Sequence, residues 1–263
     1  MADPTIDELL AGQVLHFRKH FMGWILDSAD CFVSQSRGNK SIKTVSLYLH
    51  AFYGQDVEFW DKLGQAIGNL QALEKLCICT RDVSDVRDDD ELVPIPHWEI
   101  LARILRNVRQ KITLTIVPHV FPAIAWPAED VRSFARVIRG HPTVTGLYTG
   151  NMSPYEASVA LYSALATLPA LESLYLSARP EDGITLLNPE ILTELLRVPS
   201  LRSVCFYRFH FTSALCHAIA NALMEDMAVT KLEFEECSFA TGQCTAIMTN
   251  GLARNTSVHL SDL

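Results

Sequence analysis

Residues Val144 to Leu176, VTGLYTGNMSPYEASVALYSALATLPALESLYL, hold two similar apolar segments separated by a helical pattern. The first segment has the spacing V-x-x-L and the second has L-x-x-L-x-L, at Val144, Leu147, Leu171, Leu174 and Leu176. Between them Ser153 and Glu156 match a capping box, and Pro154 suits the first turn of a helix. Apolar residues then recur at helical spacing, at Ala157, Ala160, Leu161, Ala164, Leu165 and Leu168. The stretch therefore predicts a strand, a helix and a second strand that repeats the first.

The same strand pattern occurs seven times from Ile42 onward, at intervals of roughly 30 residues. The segments are IKTVSL, LEKLCI, RQKITL, VTGLYT, LESLYL, LRSVCF and VTKLEF, with second apolar residues Val45, Leu76, Ile112, Leu147, Leu174, Val204 and Leu232. A helical pattern follows each segment, and a partial last strand begins in VHLSDL, residues 258–263. Strand–helix–strand order with short links favours parallel strands and right-handed crossovers.

Residues 1–41 differ from the repeats that follow them. Thr5 and Glu8 match a second capping box. Helical spacing then continues through Ile6, Leu9, Leu10, Val14, Phe17, Phe21, Trp24 and Ile25. A short second helix is predicted near Ala29 to Ser36. We predict an N-terminal helical cap over residues 1–41, with a separate interaction helix as the alternative, and one continuous repeat domain over residues 42–263.

At these residues the chain resembles the ribonuclease-inhibitor-like class of leucine-rich repeats, from Ile42 onward and most closely from Val144. The resemblance implies an α/β solenoid, a horseshoe with parallel strands on its concave face and helices on its convex face. The segments Asn39-Lys40-Ser41-Ile42 and Asn255-Thr256-Ser257-Val258 are similar to the helix-to-strand links of that class. The class also has Asn or Cys after each strand, where the side chain satisfies backbone groups, and here only Cys237 occupies that position.

Composition narrows the range of partners. A hydrophobic fraction of 49% indicates a folded chain, and a formal net charge of -8 argues against binding to DNA, RNA or anionic lipid.

The cysteines and the N-terminal sequence indicate the cellular compartment. Seven scattered cysteines without C-x-x-C spacing predict free thiols in a reducing compartment, and neither a disulfide framework nor a metal site. The chain has no signal-peptide pattern and no apolar run of about 18 residues. We therefore expect a cytoplasmic or nuclear location and no cofactor.

Alternation along the strands predicts the binding surface. In an L-x-x-L-x-L strand the leucines enter the core, so their neighbours face the concave side. Four of the seven tyrosines fall on that side. Tyrosine is frequent in binding hot spots, although it also favours strands and packs across them. We predict that a protein partner binds this face, at Tyr48, Lys75, Tyr148, Tyr175, Tyr207, Lys231, Glu233 and Glu235.

No catalytic residue is predicted. The nine histidines have no Ser or Cys partner that spacing supports, and the nucleotide-binding and nucleophile-elbow motifs are absent from the sequence. The resemblance leaves one alternative, a regulator of a small GTPase similar to Ran GTPase-activating proteins, which share this repeat class. An arginine on a rigid loop can stabilise charge during phosphoryl transfer. Arg81 and Arg87, in the polar loop after the second strand, are the residues for that alternative.

Overall fold

Strands and helices alternate along the chain, as the repeat pattern predicts. The computed structural model of the protein describes residues 10–17, 29–48, 57–79, 97–117, 128–149, 155–178, 187–225, 227–253 and 259–261. The chain forms two units, Met1–Ile124 and Ala125–Leu263. No helix within the described ranges is long and apolar enough to cross a membrane.

Unit 1 is a parallel sheet whose strands alternate with helices. Its elements are β1 (Val14–Phe17), α1 (Ala29–Ser36), β2 (Thr44–Tyr48), α2 (Val57–Gly68), β3 (Lys75–Cys79), α3 (His97–Asn107) and β4 (Ile112–Val117). Each strand pairs in parallel with the next along the chain. Apolar residues on the helices and strands form the core, because alternate strand residues and one face of each helix are buried.

The predicted N-terminal helix is wrong at Val14–Phe17, which forms strand β1. This strand pairs in parallel with β2, with Leu15 opposite Val45, and Leu15 is buried. In the L-x-x-L-x-L pattern the first leucine position is occupied here by Gly12, in the segment GQVLHF. The remaining alternation of apolar residues is short, and the helical spacing on both sides of it therefore dominates the prediction. Leu10 and Ala11 are helical, and α1 is confirmed at Ala29–Ser36. The rest of the predicted first helix lies outside the described residues, and the boundary between residues 41 and 42 stays a prediction.

Asn39 shapes the turn that leads from α1 into β2. Its side-chain oxygen accepts hydrogen bonds from the backbone N–H groups of Ser41 (3.0 Å) and Ile42 (2.9 Å). Its side-chain nitrogen donates to the carbonyl of Leu10 at 2.9 Å. These bonds satisfy backbone groups that the turn itself leaves without partners. The helix-to-strand link predicted at Asn39 is therefore present.

The register predicted for the third repeat strand is wrong by two residues. Leu114, and not Ile112, lies opposite Leu76, while Thr113 lies opposite Lys75. Ile112, Leu114 and Ile116 are all fully buried, so the apolar pattern fits either register. Lys111 stands where the neighbouring repeat has Leu73, which removes the apolar residue that would have distinguished the two registers. A shift of two residues keeps every side chain on its predicted face.

Unit 2 repeats the same alternation. Its elements are α4 (Ala128–Ile138), β5 (Val144–Thr149), α5 (Tyr155–Leu165), β6 (Ser173–Ser177), α6 (Pro189–Leu196), β7 (Ser203–Tyr207), β8 (His210–Phe211), α7 (Ser213–Met224), β9 (Lys231–Glu235), β10 (Ser238–Phe239), α8 (Gly242–Leu252) and β11 (His259–Ser261). The main sheet is parallel in the order β5-β6-β7-β9-β11, and β8 and β10 form a second parallel pair. The predicted partial last strand is confirmed as β11.

Local signals set where the helices of unit 2 begin. Asn188 caps α6, because its side-chain oxygen accepts from the backbone N–H groups of Glu190 (2.7 Å) and Ile191 (3.4 Å), and Pro189 follows at the first turn. Thr212 caps α7 in the same way, accepting from the N–H of Leu215 at 3.4 Å. The capping box predicted at Ser153 is not among the residues that the structure describes.

Five phenylalanines pack together around the turns that connect β7 to β8 and β9 to β10. The rings of Phe206 and Phe211 meet edge to face with centroids 5.4 Å apart, and Phe211 meets Phe234 at 5.3 Å. Phe209 and Phe239 complete the cluster. Edge-to-face and offset contacts of this kind contribute about 0.5–1.5 kcal/mol per pair beyond the area that they bury. The cluster fixes the two loops that follow the strands of the main sheet.

We expect Gly68→Ala to destabilise unit 1 by about 1–3 kcal/mol, because a Cβ there would overlap the backbone carbonyl oxygen of Asn107 on the neighbouring helix. Urea unfolding followed by circular dichroism measures the change. Gly242→Ala is the matched control, since nothing lies within 4 Å of its added Cβ and the same exchange should leave stability unchanged or slightly higher. Equal stability of the two variants would contradict the close approach of α2 and α3.

Candidate functional site

The strands of unit 2 bury every second residue and leave the others on one face. Leu174 and Leu176 are buried beside Tyr175, and Leu232 and Phe234 are buried beside Glu233. The predicted alternation is therefore confirmed in β6 and β9. We call the surface that carries the intervening residues the tyrosine face; its members are Tyr148, Tyr175, Tyr207, Lys231, Glu233 and Glu235.

The strand register brings these six predicted residues onto adjoining rows. One row runs across the sheet through Tyr148, Tyr175, Cys205 and Glu233. The next row runs through Ser177, Tyr207 and Glu235. Gly146, Ser173, Ser203 and Lys231 form the row on the other side. Tyr148 and Tyr175 thus stand next to the small residues Gly146, Ser173 and Ser203, and two carboxylates lie at the β9 end of the surface.

The three tyrosine rings stack across neighbouring strands. The centroids of Tyr148 and Tyr175 are 4.2 Å apart, with an angle of 13° between the ring planes. Those of Tyr175 and Tyr207 are 6.0 Å apart at 29°. This spacing follows from the strand separation of about 4.8 Å, which places side chains on neighbouring strands at stacking distance. Tyr148 remains 40% exposed although one side of its ring meets Tyr175.

Glu235 on β9 links the tyrosine stack to the strand two places beyond that of Tyr175, on the same face of the sheet. The hydroxyl of Tyr175 donates a hydrogen bond to Oε2 of Glu235 at 3.2 Å. Burial raises the pKa of Tyr175, and the neighbouring Tyr148 hydroxyl and the charge of Glu235 raise it further, so the phenol stays neutral and acts as a donor. Burial, and then the same carboxylate, also raises the pKa of the Cys205 thiol to about 12. Cys205 is therefore a protonated, unreactive thiol at neutral pH.

Lys231 of the tyrosine face and Arg208 beside it are each paired with a carboxylate. Lys231 meets Glu233 with 2.7 Å between Nζ and Oε1, and this hydrogen bond raises the pKa of Lys231. Nε of Arg208 lies 2.7 Å from Oε2 of Glu236. The guanidinium carbon of Arg208 also lies 4.7 Å from the ring centroid of Tyr207, within the range of a cation–π contact. Glu233 and Glu236 thus each contact a cation, whereas Glu235 accepts its hydrogen bond from the neutral hydroxyl of Tyr175.

Arg208 and Glu236 border the tyrosine face, and the sequence reasoning missed them. Both have positive φ values, 62° and 51°, in the left-handed region that non-glycine residues rarely adopt. They follow β7 and β9 at equivalent repeat positions, 28 residues apart, and carry opposite charges. Aligning YRFHF with EECSF would have placed them side by side. The left-handed backbone could not have been found, since neither position has the glycine or asparagine that usually signals it.

Cys237 has the role predicted for it. Its thiol donates to the carbonyl oxygen of Phe206 at 3.2 Å and to that of Glu235 at 3.5 Å. Burial raises its pKa to about 11, so the thiol keeps the proton that these bonds require. The side chain satisfies carbonyl groups at the end of the strands, in the position where the repeat pattern has Asn or Cys.

The remaining predicted positions belong to unit 1 or lie outside the described residues. Lys75 is exposed on β3, with Thr44 and Thr113 as its neighbours in register. The backbone of Tyr48 pairs with that of Cys79, and its side chain is not described. Arg81 and Arg87, the residues of the GTPase alternative, fall in a segment that the structure does not describe.

Comparisons with known proteins identify the fold. No known family profile and no curated protein matches the chain. Among solved structures, the chain is similar to the leucine-rich repeat-containing protein LegL7 from Legionella pneumophila, with 13% identity, a TM-score of 0.52 and coverage of 97% of this chain and 77% of that one. It is also similar to an internalin, InlF, from Listeria monocytogenes, with 12% identity, a TM-score of 0.41 and coverage of 88% and 63%. The likeness to LegL7 shows that the protein has the α/β leucine-rich-repeat solenoid fold that the sequence predicts.

We expect the alkylation rate of Cys205 by iodoacetamide to keep rising about tenfold per pH unit up to pH 10, because its pKa is raised to about 12. An ordinary thiol would level off above about pH 8.5. Glu235→Gln should bring the levelling to lower pH, since the variant removes a negative charge that raises this pKa. Mass spectrometry of the Cys205 peptide gives the profile, with the exposed Cys31 as internal reference. A profile that Glu235→Gln leaves unchanged would contradict the proximity of the two groups.

Proposed function

We propose that this protein is a recognition module that binds a protein partner through the tyrosine face. The stack of Tyr148, Tyr175 and Tyr207 is the observation that carries the proposal. Rings held against each other on a rigid sheet lose little conformational freedom when a partner covers them, so their buried area contributes to affinity at small entropic cost. Tyrosine is also among the residues most frequent at the energetic centres of interfaces.

The shape of this surface favours a polypeptide over a small metabolite. The four strands from β5 to β9 span about 15 Å at the usual strand spacing. Small residues beside Tyr148 and Tyr175, namely Gly146, Ser173 and Ser203, lie on the sheet, whereas metabolites are usually bound in concave pockets. A partner segment laid across the strands could contact the rings, the Lys231–Glu233 pair and Glu235 together.

We also propose that the repeats belong to the ribonuclease-inhibitor-like class. In unit 2 they carry helices of up to 12 residues, as in α7, and not short turns. Asn39 satisfies backbone groups before β2 and the thiol of Cys237 satisfies backbone groups after β9, as the links of that class are expected to do. The division into a cap over residues 1–41 and repeats over residues 42–263 is part of this proposal.

The proposed role is binding without catalysis, in the cytoplasm. Cys31, Cys77, Cys205, Cys216, Cys237 and Cys244 are free thiols, and Cys205, Cys216 and Cys244 are buried. Cysteines used as small core residues are typical of proteins in reducing compartments. Burial raises the pKa of Cys205 and of Cys216 to about 12, which fits a packing role for these two thiols, whereas the hydrogen bond with the Thr241 hydroxyl lowers the pKa of Cys244 to about 7.

We expect the double variant Tyr148→Ala with Tyr175→Ala to weaken partner binding more than tenfold while the protein remains folded. The two rings lie on the sheet surface, so their loss removes contact area without opening the leucine core. The partner is first isolated with the wild-type chain as bait, and its affinity for both proteins is then measured by calorimetry.

Glu194→Ala is the control for this experiment, because Glu194 is exposed on helix α6 of the same unit. Its affinity should match that of the wild-type chain, and circular dichroism should show the same helix content in all three proteins. If the double tyrosine variant binds the partner as tightly as the wild-type chain does, the tyrosine face is not the binding surface.

A further inference from the structure

The tyrosine stack is covered at one end by a guanidinium of the chain itself. The guanidinium carbon of Arg208 lies 4.7 Å from the centroid of the Tyr207 ring, and Glu236 holds it through an ion pair of 2.7 Å. The hydroxyl of Tyr207 contacts the same carboxylate at 3.3 Å. The last ring of the stack is thus paired with a cation, and a carboxylate positions that cation.

The ring at the other end of the stack has no such cation. Tyr148 meets Tyr175 on one side and is still 40% exposed. Among the described residues, no lysine or arginine is placed over its ring. The electron-rich face of a tyrosine attracts cations, and a guanidinium stacks on it with its planar group parallel to the ring. Tyr148 therefore offers a partner the type of contact that Arg208 makes with Tyr207.

The charges at the β9 end of the stack, opposite Tyr148, favour a segment with more than one basic residue. Glu233, Glu235 and Glu236 provide three carboxylates, whereas Lys231 and Arg208 provide two cations, each held by a carboxylate at 2.7 Å. Glu235 receives a hydrogen bond from the neutral Tyr175 hydroxyl and makes no ion pair with a described residue. Lys231 lies near enough to Glu235 for their charges to interact, yet its direct contact is with Glu233. The whole chain carries a formal net charge of -8, which attracts a basic partner at long range.

We propose that the partner is a basic protein segment that places an arginine side chain on the exposed ring of Tyr148. The inference rests on the proposed function, because it specifies the chemistry of a partner for the same face. Arginine suits the site better than lysine, since a planar guanidinium can stack on the ring while its N–H groups bond to a hydroxyl oxygen, and other basic residues of the segment can reach the carboxylates on β9. The small residues Gly146, Ser173 and Ser203 beside Tyr148 and Tyr175 carry no long side chain that would obstruct the extended backbone of such a segment.

A library of random twelve-residue peptides displayed on phage tests the inference when selected on the whole chain. We expect the enriched peptides to share an arginine and to carry net positive charge. Replacing that arginine by citrulline, which keeps its shape and removes its charge, should weaken the best peptide about tenfold or more in calorimetry. Lysine at the same position should restore only part of the affinity.

Variants of the chain locate the contact. Tyr148→Leu should weaken the best peptide at least about tenfold, and Glu235→Gln should weaken it by a smaller factor. Glu194→Gln removes the same charge from an exposed helix position and should change the affinity less than twofold. Circular dichroism on each variant shows whether the fold is retained. The affinity should also fall as salt is raised from 0.05 to about 0.5 M, because charge attraction is screened.

The outcomes separate the inference from the proposed function. Selected peptides that depend on Tyr148 but lack arginine, or that tolerate citrulline, would overturn the basic partner and leave the tyrosine face as a binding surface. Selected peptides that bind equally well to the Tyr148→Ala, Tyr175→Ala double variant would instead contradict the tyrosine face itself. Arginine-bearing peptides whose binding requires Tyr148 and weakens with Glu235→Gln would support both.

Discussion

The structure depends on one constraint: the apolar face of each strand–helix repeat is buried only by the repeats beside it. Leu174 and Leu176 in β6, and Val204 and Phe206 in β7, are almost completely buried although each repeat is too short to enclose its own core. This constraint keeps the strands parallel and in register. The polar residues of neighbouring strands are therefore brought side by side, which is the origin of the tyrosine face.

Much of the fold could be predicted because burial imposes a period on the sequence. The helices of unit 2 and its parallel strands follow from the spacing of apolar residues in each repeat. The prediction was wrong where the period was incomplete. Gly12, just before β1, and Lys111, just before β4, stand where the repeat pattern has an apolar residue. Pairing with the neighbouring strand therefore decides the structure at both places.

The candidate site could be predicted in its membership and not in its geometry. Alternation along the strands is enough to put Tyr148, Tyr175 and Glu235 on one face. The ring stacking and the hydrogen bond from Tyr175 to Glu235 depend on side-chain rotamers and on the relative positions of three strands. The Arg208–Glu236 pair depends in addition on two left-handed residues, which no local pattern in the sequence indicates.

The pairing of Arg208 with Glu236 has a consequence for how such an array can grow. The two residues occupy the same position in successive repeats, so an ion pair between opposite charges joins these two repeats at that position. A tandem duplication of either repeat would place two like charges at this junction, in a backbone conformation that already costs energy. Recombination that lengthens the protein here would therefore need a compensating change of charge before the new copy could stack as well as the old one.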